Sequence, residues 1–171
     1  MENNRPQRKT TRLEKFDYNS SGAYFITFCT FEKRMMLSHI VGAIHESPKT
    51  CLSERGKIVA DVIEHLPERL HVKVADYVIM PNHVHMMLIV PNEPKRAIHE
   101  SPLHRRSVVS KVVGYIKMNA SKSIRKTYGD ETVWQRNYYD HIVRGEEDYQ
   151  KIMKYIAENP FAWETDRYFE S

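Results

Sequence analysis

Two histidines separated by one residue, His83 and His85, are the first candidates for chemistry in this sequence. They follow the turn residues Pro81 and Asn82 and open an apolar segment. In a β-strand, side chains two positions apart point to the same face of the sheet, so the two imidazoles would lie side by side. Neutral imidazole is a common ligand of divalent metal ions. The spacing is that of a metal site, although the same pattern also occurs on half-exposed strands that bind no metal.

A second candidate pair, Tyr155 and Asn159, stands near the C-terminus. Residues four apart share a helix face, which places the phenol beside the carboxamide. A carboxamide oxygen can complete a site for a hard cation, and a phenol oxygen is a possible nucleophile. Packing explains an aromatic helix equally well, and Asn before Pro160 is an ordinary helix terminator. Spacing alone does not favour Tyr155 over the other tyrosines nearby, which are Tyr138, Tyr139 and Tyr149.

The elements that must position these residues follow from periodicity and turn signals. Residues 23–31, 72–80, 83–90 and 138–143 are predicted as strands, and Pro81-Asn82 joins two of them as a hairpin. Helices are predicted over residues 52–66, with Ser53 as N-cap, over residues 107–128, and from Glu146, after the break at Gly145, to near Asn159. The order β-α-β-β-α-β with an extra C-terminal helix predicts an α+β, ferredoxin-like fold with an antiparallel sheet.

Length and composition indicate one folded domain over residues 1–171. Hydrophobic residues make up 41% and charged residues 28% of the 171 residues, which excludes a disordered chain. The longest apolar run, residues 86–90, is far too short to span a membrane. Two cysteines form neither a disulfide framework nor a metal motif. We therefore expect a cytoplasmic protein.

The net charge of +4 is concentrated on one predicted helix and on the N-terminal segment. Residues 105–126 contain seven basic and no acidic residues, whereas the rest of the chain is slightly acidic. Charge collected on one element indicates a polyanionic partner. We expect this helix to lie beside the candidate metal and tyrosine site. The candidate contacts are Arg105, Arg106, Lys111, Lys117, Lys122, Arg125 and Lys126 in the helix region, and Arg5, Arg8, Lys9 and Arg12 in a basic arm over residues 1–19.

An identical hexapeptide, Ala-Ile-His-Glu-Ser-Pro, occurs at residues 43–48 and again at residues 97–102. A solenoid repeat would be longer and would recur at a fixed period. We interpret residues 42–50 and 95–104 as insertions in loops that tolerate them. Residues 42–48 can be written in codons that contain a DNA palindrome, which suggests inserted palindromic elements.

Several motifs together resemble one protein family. The segment of residues 71–88, which includes Asn82-His-Val-His85, resembles the signature of single-tyrosine HUH transposases, within the IS200-like superfamily. It is most similar to the REP-associated tyrosine transposases, which act on repetitive extragenic palindromes. Residues 18–30, 134–144, 154–160 and 163–169 resemble further motifs of that family. The resemblance covers nearly the whole chain outside the two hexapeptides.

This resemblance implies a site and a reaction. His83 and His85 would bind a divalent metal, Mg²⁺ or Mn²⁺, with Asn159 as the third ligand, and Tyr155 would be the catalytic nucleophile. Tyr138 and Tyr139 would be structural or DNA-contacting. The implied function is a metal-dependent, sequence- and hairpin-specific single-stranded DNA endonuclease and strand transferase that forms a 5′-phosphotyrosine intermediate on REP-like palindromes. The implied partner is single-stranded DNA with a hairpin, bound by a monomer or homodimer associated with the bacterial nucleoid.

Two other functions fit parts of the sequence. A catalytically silent protein that binds DNA hairpins would keep the basic helix but would not need His83, His85, Tyr155 and Asn159 together. An RNA-binding module of similar topology would depend on aromatic RNP motifs, which this sequence lacks in the expected form. The combined motifs favour the transposase.

Overall fold

The chain folds around a four-stranded antiparallel sheet, as a computed structural model of residues 21–42, 48–92, 107–129 and 132–169 shows. The strands are β1 (Gly22–Cys29), β2 (Ser38–Val41), β3 (Lys49–Leu52), β4 (Lys73–Ile79), β5 (His83–Val90) and β6 (Tyr139–Ile142). The helices are α1 (Glu54–Glu64), α2 (Leu66–Leu70), α3 (Val108–Tyr128) and α4 (Gly145–Glu158). The main sheet has the order β4-β5-β1-β6, and β2 pairs with β3 in a separate hairpin.

The sheet separates two layers of helices. Alternate residues of β1 and β5, such as Phe28 and Met86, face α1 and α3 and form the larger core with Ile63 and Ile116. The intervening residues face the other way, where Phe25 and Met87 pack against Ile156 of α4. Because side chains alternate along a strand, His83 and His85 share the α4 face with Met87. The metal candidates and α3 therefore lie on opposite faces of the sheet.

The predicted β-α-β-β-α-β order and the additional C-terminal helix are confirmed. Ser53 is the N-cap of α1, as expected, and its hydroxyl accepts a hydrogen bond from the backbone of Gly56 at 3.1 Å. Pro67 lies in the first turn of α2, where its missing N–H would have no intrahelical partner in any case.

The β2–β3 hairpin is absent from the sequence prediction. Each of its strands has four residues and much polar character, so neither shows the alternation that identifies longer strands. Lys49 and Thr50, at the C-terminal end of the predicted insertion over residues 42–50, pair within β3 and do not lie in a loop. Residues 43–47 and 93–106, which include almost all of both hexapeptides, lie outside the described residues, as does the basic arm.

The turn before β5 is held on both sides by backbone hydrogen bonds. Met36 and Leu37 donate their N–H groups to the carbonyl oxygen of Pro81 at 2.9 and 3.0 Å. Thr30 donates its N–H to the carbonyl of Asn82 at 2.8 Å. These bonds fix the backbone from which His83 projects. Within the described residues, no helix combines the length and apolar character needed to cross a membrane.

Two helical glycines give opposite predictions for alanine substitution. A Cβ at Gly56 would collide with the carbonyl oxygen of Leu37, whereas a Cβ at Gly114 meets no atom within 4 Å. We expect Gly56→Ala to lower the free energy of unfolding by about 1–3 kcal/mol, as overpacking does. Gly114→Ala should raise it by about 0.5–1 kcal/mol, because alanine favours the helix. Urea denaturation of both variants tests this, and a Gly56→Ala protein of unchanged midpoint would contradict the close packing.

Candidate active site

His83 and His85 stand side by side at the start of β5, with their Nε2 atoms 3.0 Å apart. Neither residue has any exposed surface. The Nδ1 atom of His83 lies 2.8 Å from Oδ1 of Asn82, and the Nδ1 atom of His85 lies 2.7 Å from the hydroxyl of Thr27. Both Nδ1 atoms are thus held by neighbours while both Nε2 atoms converge. The prediction that the two imidazoles share one face of a strand is confirmed by this geometry.

The hydrogen bonds also define the tautomer of His83. Asn82 donates from Nδ2 to the backbone carbonyl of Tyr168 at 2.8 Å, so its Oδ1 atom is the acceptor that faces His83. His83 must then carry its proton on Nδ1, and its Nε2 lone pair faces His85. A partner on the distal ring nitrogen is the usual way in which proteins orient a metal-binding histidine.

Burial keeps both imidazoles neutral at physiological pH. Desolvation lowers the pKa of His83 to about 4, partly opposed by the carboxylate of Asp166. Desolvation and the neighbouring His83 lower the pKa of His85 well below its ordinary value. A neutral imidazole with a free lone pair is the form that binds a metal.

Tyr155 and Asn159 project from α4 and its C-terminal end toward this pair. The Tyr155 hydroxyl lies 3.3 Å from Nε2 of His85 and donates to Oδ2 of Asp166 at 3.1 Å. Asn159 donates from Nδ2 to the same carboxylate oxygen at 3.1 Å. Its Oδ1 atom is buried without a hydrogen-bond partner among the described residues. A buried acceptor that lacks a partner is costly, and this one is available to a ligand.

The Tyr155 phenol is strongly disfavoured as an anion in this arrangement. Burial raises its pKa to about 12, and the negative charge and hydrogen bond of Asp166 act in the same direction. The positive charge of Arg167 opposes them. As the structure stands, Tyr155 is a protonated phenol.

Asp166 is the site residue that residue spacing did not identify. It follows the short 3-10 helix Trp163–Thr165, and its carboxylate lies with the ring nitrogens of His83 and His85 in a group whose ligand atoms are all within 4.8 Å of one another. The backbone N–H of Tyr168 donates to Oδ1 of Asp166 at 2.7 Å, which orients the carboxylate. The only signal for it in the sequence is its place within residues 163–169, one of the segments that resemble family motifs.

The same C-terminal segment covers the histidines. The ring of Tyr168 lies 4.6 Å, centroid to centroid, from that of His83, and the Trp163 ring lies at 5.9 Å. On the other side of the pair, the Phe25 ring stacks on His85 at 5.2 Å. These rings account for the complete burial of the imidazoles.

The donor set fits a divalent cation. Two neutral imidazole nitrogens converge, and the carboxylate of Asp166 lies beside them. The same carboxylate accepts a hydrogen bond from Asn159, whose carboxamide oxygen has no hydrogen-bond partner among the described residues. Mixed nitrogen and oxygen ligands of this kind suit Mn²⁺ and related ions, whereas Mg²⁺ prefers oxygen ligands alone. The group could therefore hold a metal ion.

The other candidate tyrosines lie elsewhere. The Tyr138 hydroxyl is 2.7 Å from the hydroxyl of Ser110, on the α3 side of the sheet. Tyr139 lies on β6 beneath the guanidinium of Arg167, 5.3 Å from its ring centre. Tyr149 packs in the cluster under α4. Of these four tyrosines, Tyr155 is the one that contacts the histidine pair.

The basic helix is not beside this site, so that expectation is wrong. Its apolar stripe packs on the opposite face of the sheet, because Val112 and Ile116 join the core formed with α1. Lys111, Lys122, Arg125 and Lys126 are exposed on it. Lys117 differs from them, since its ammonium donates to the carbonyls of Gln135 and Asn137 at 2.8 and 2.9 Å, and burial lowers its pKa to about 8.

A basic groove of about 760 Å³ runs between α3 and residues 132–136. Its basic lining residues are Lys117, whose ammonium is held by the two carbonyls, and Lys122, Arg125, Lys126 and Arg136. The other predicted contacts fall outside the described residues, namely Arg105 and Arg106 before α3 and Arg5, Arg8, Lys9 and Arg12 in the N-terminal arm.

Comparisons with known proteins show the family. Residues 32–159 match the family described as "Transposase IS200 like". An uncharacterized protein of Haemophilus influenzae is 32% identical over 173 aligned positions, which cover 95% of this chain and 93% of that protein. A second protein of that organism, named "Putative REP-associated tyrosine transposase", is 22% identical, covering 84% of this chain and 73% of that protein.

A solved structure shares the fold. A REP-associated tyrosine transposase bound to a REP hairpin superimposes with a TM-score of 0.61 at 16% identity, covering 89% of this chain and 73% of that one. The resemblance inferred from the motifs and the predicted ferredoxin-like fold are both confirmed. The chain belongs to the IS200-like transposase family.

Proposed function

We propose that this protein is a metal-dependent single-stranded DNA endonuclease and strand transferase, specific for a hairpin of the REP type, with Tyr155 as its nucleophile. The observation that supports this most directly is the position of the Tyr155 hydroxyl, 3.3 Å from His85 and hydrogen-bonded to Asp166. His83, His85 and Asp166 would hold the metal, with Asn159 available as a further oxygen ligand.

The reaction follows from the groups present. Attack of the Tyr155 oxygen on a DNA phosphorus atom forms a phosphotyrosine bond and breaks the bond to the 3′ oxygen, which takes up a proton from solvent and leaves as a 3′-hydroxyl. Asp166 already accepts the hydrogen bond of the Tyr155 hydroxyl, and it is placed to receive its proton. A bound divalent cation would neutralise charge on the phosphate and favour ionisation of the phenol. A second 3′-hydroxyl can reverse the step, so strand transfer needs no ATP.

DNA must gain access to a closed site. His83 has no exposed surface, and the Tyr168 ring covers it. The backbone of Tyr168 is anchored by Asn82 and Asp166, and rotation of its side chain would break neither backbone bond but would break the hydrogen bond that its hydroxyl accepts from Arg167 at 2.6 Å. We infer that rotation of this ring uncovers His83 when a phosphodiester binds.

The central experiment is a covalent trapping assay. The protein is incubated with Mn²⁺ or Mg²⁺ and a single-stranded oligonucleotide that forms a hairpin with unpaired flanks, and products are separated on a denaturing gel. We expect a protein–DNA adduct that Tyr155→Phe abolishes, because the phenol oxygen is the atom that bonds to phosphorus. Tyr139→Phe, at a tyrosine of similar exposure (40% against 38%), should still form the adduct.

Two results would decide against this function. An adduct that persists in Tyr155→Phe would exclude Tyr155 as the nucleophile. Hairpin binding without any adduct, with either metal, would favour the second candidate, a catalytically silent hairpin-binding protein. The presence of His83, His85, Tyr155 and Asn159 in one cluster favours the active enzyme, because a protein that only binds DNA does not require that arrangement.

Metal affinity should depend on Thr27, whose hydroxyl contacts the Nδ1 atom of His85. Thr27→Val keeps the volume of the side chain but removes the hydroxyl that holds Nδ1 at 2.7 Å. We expect Mn²⁺ affinity, measured by calorimetry, to fall about 10- to 100-fold, because residues that orient metal ligands have effects of this size. Thr127→Val, at an exposed threonine near the end of α3, serves as the control. Equal Mn²⁺ affinity in the wild type and Thr27→Val would argue against metal binding through His85.

Alanine substitutions at two lysines of α3 should have different effects, one on DNA binding and the other on stability. Lys122 is exposed in the basic groove, so Lys122→Ala should weaken hairpin binding and reduce the slope of log K against log salt by about 1. Lys117 holds two carbonyls with its ammonium, so Lys117→Ala should lower the melting temperature with little change in that slope. Fluorescence anisotropy across a salt series measures both slopes. An unchanged slope in Lys122→Ala would remove this helix from the DNA interface.

A further inference from the structure

A second cavity, of about 670 Å³, shares the residue Trp163 with the surroundings of the histidine site. It lies between the β2 strand and the segment after α4. Its walls include Met35, His39, Pro81, Phe161, Trp163 and Phe169. A volume of this size is typical of sites that hold a small organic group.

Neighbouring residues connect the cavity to the candidate metal site. Trp163 belongs to both, because its ring lies 5.9 Å from that of His83 and it also lines the cavity. Pro81 immediately precedes Asn82, whose side chain orients His83. Phe161 stands two residues after Asn159. A group in the cavity would therefore be a near neighbour of a group bound at the histidines.

The walls have the chemistry that binds a nucleobase. Phe161 is 63% exposed, an unusually high fraction for a phenylalanine, and Met35 is 54% exposed. An aromatic ring left in solvent is a surface on which an unpaired base can stack. His39 and Glu164, both exposed, add a polar edge able to bond with ring nitrogens and exocyclic groups.

We propose that this cavity binds the unpaired nucleobase adjacent to the cleaved phosphodiester, with the base stacked on Phe161. The inference rests on the proposed function, because it places the scissile phosphate at His83, His85 and Tyr155. In a nucleotide, only one deoxyribose joins the base to its phosphate. A phosphate held at the histidines would therefore leave an adjoining base within reach of the cavity that shares Trp163 with the site. The pocket would contribute to the choice of cleavage position through protein contact with the base.

The test uses a fluorescent base and a protein that cannot cleave. Hairpin oligonucleotides carry 2-aminopurine at one unpaired flanking position at a time, and each is bound to Tyr155→Phe protein. Stacking quenches 2-aminopurine fluorescence, so we expect strong quenching at one position beside the cleavage point. Adding Phe161→Ala should abolish that quenching and weaken binding by roughly 5- to 150-fold, the range for loss of one stacked base.

Two controls separate stacking from a general disturbance. Val41→Ala changes an exposed side chain on β2, 45% exposed, that does not line the cavity, and it should leave the quenching unchanged. Phe161→Tyr keeps an aromatic face and should restore the quenching. Because Phe161 is largely exposed, its substitution should not prevent folding, which circular dichroism verifies.

Other results would overturn the inference without affecting the proposed function. Equal quenching in the presence and absence of the Phe161 side chain would show that the base lies elsewhere. A change in sedimentation mass with Phe161→Ala, together with unchanged quenching, would assign the cavity to a second copy of the chain. Failure of the trapping assay with Tyr155 intact would refute the proposed function, whereas the quenching measurement requires no cleavage and is read independently.

Discussion

Two buried imidazoles with Nε2 atoms 3.0 Å apart impose the constraint around which this structure is organised. In a site without solvent, protonation of either ring is unfavourable, and protonation of both would bring two positive charges into contact. The rings therefore stay neutral, and each needs a partner for its Nδ1 atom. The strand register provides one of them, because Thr27 of β1 lies opposite His85 of β5. The turn residue Asn82 provides the other.

The turn and the C-terminal segment are linked through the same constraint. Asn82 bonds His83 with one end of its carboxamide and the backbone of Tyr168 with the other. That bond brings residues 163–169 over the histidines, where Asp166 reaches Tyr155 and Asn159 of the α4 region. A single buried amide thus connects β5 to the segment that carries the carboxylate. The sheet leaves the basic helix on its other face, so DNA that contacted both would pass around an edge of the sheet.

Local sequence patterns predicted the contacts between residues that are close to each other in the sequence. The alternation of strand side chains placed His83 beside His85, and helix periodicity placed Tyr155 above Asn159. Family resemblance was needed to join these two pairs. Residue spacing did not predict Asp166 as a site residue, because its position depends on how the chain turns back after Pro160. The structural role of Lys117 was not predicted, because a count of charges cannot distinguish an ammonium in solvent from one that is hydrogen-bonded to the carbonyls of Gln135 and Asn137.

Charge balance gives Asp166 a role that Asn159 alone could not fill. Two neutral imidazoles and a carboxamide carry no charge, so a divalent cation held by them would keep its full double charge in a buried place, which is costly. The Asp166 carboxylate would halve that charge. One positive charge then remains, which equals the single negative charge of a phosphodiester. Under the proposed function, the site with Asp166 would hold its cation in the absence of DNA and reach neutrality when the phosphate binds. Under the same proposal, Asn159 would add an oxygen without altering this balance, so the two residues would be complementary rather than alternative ligands.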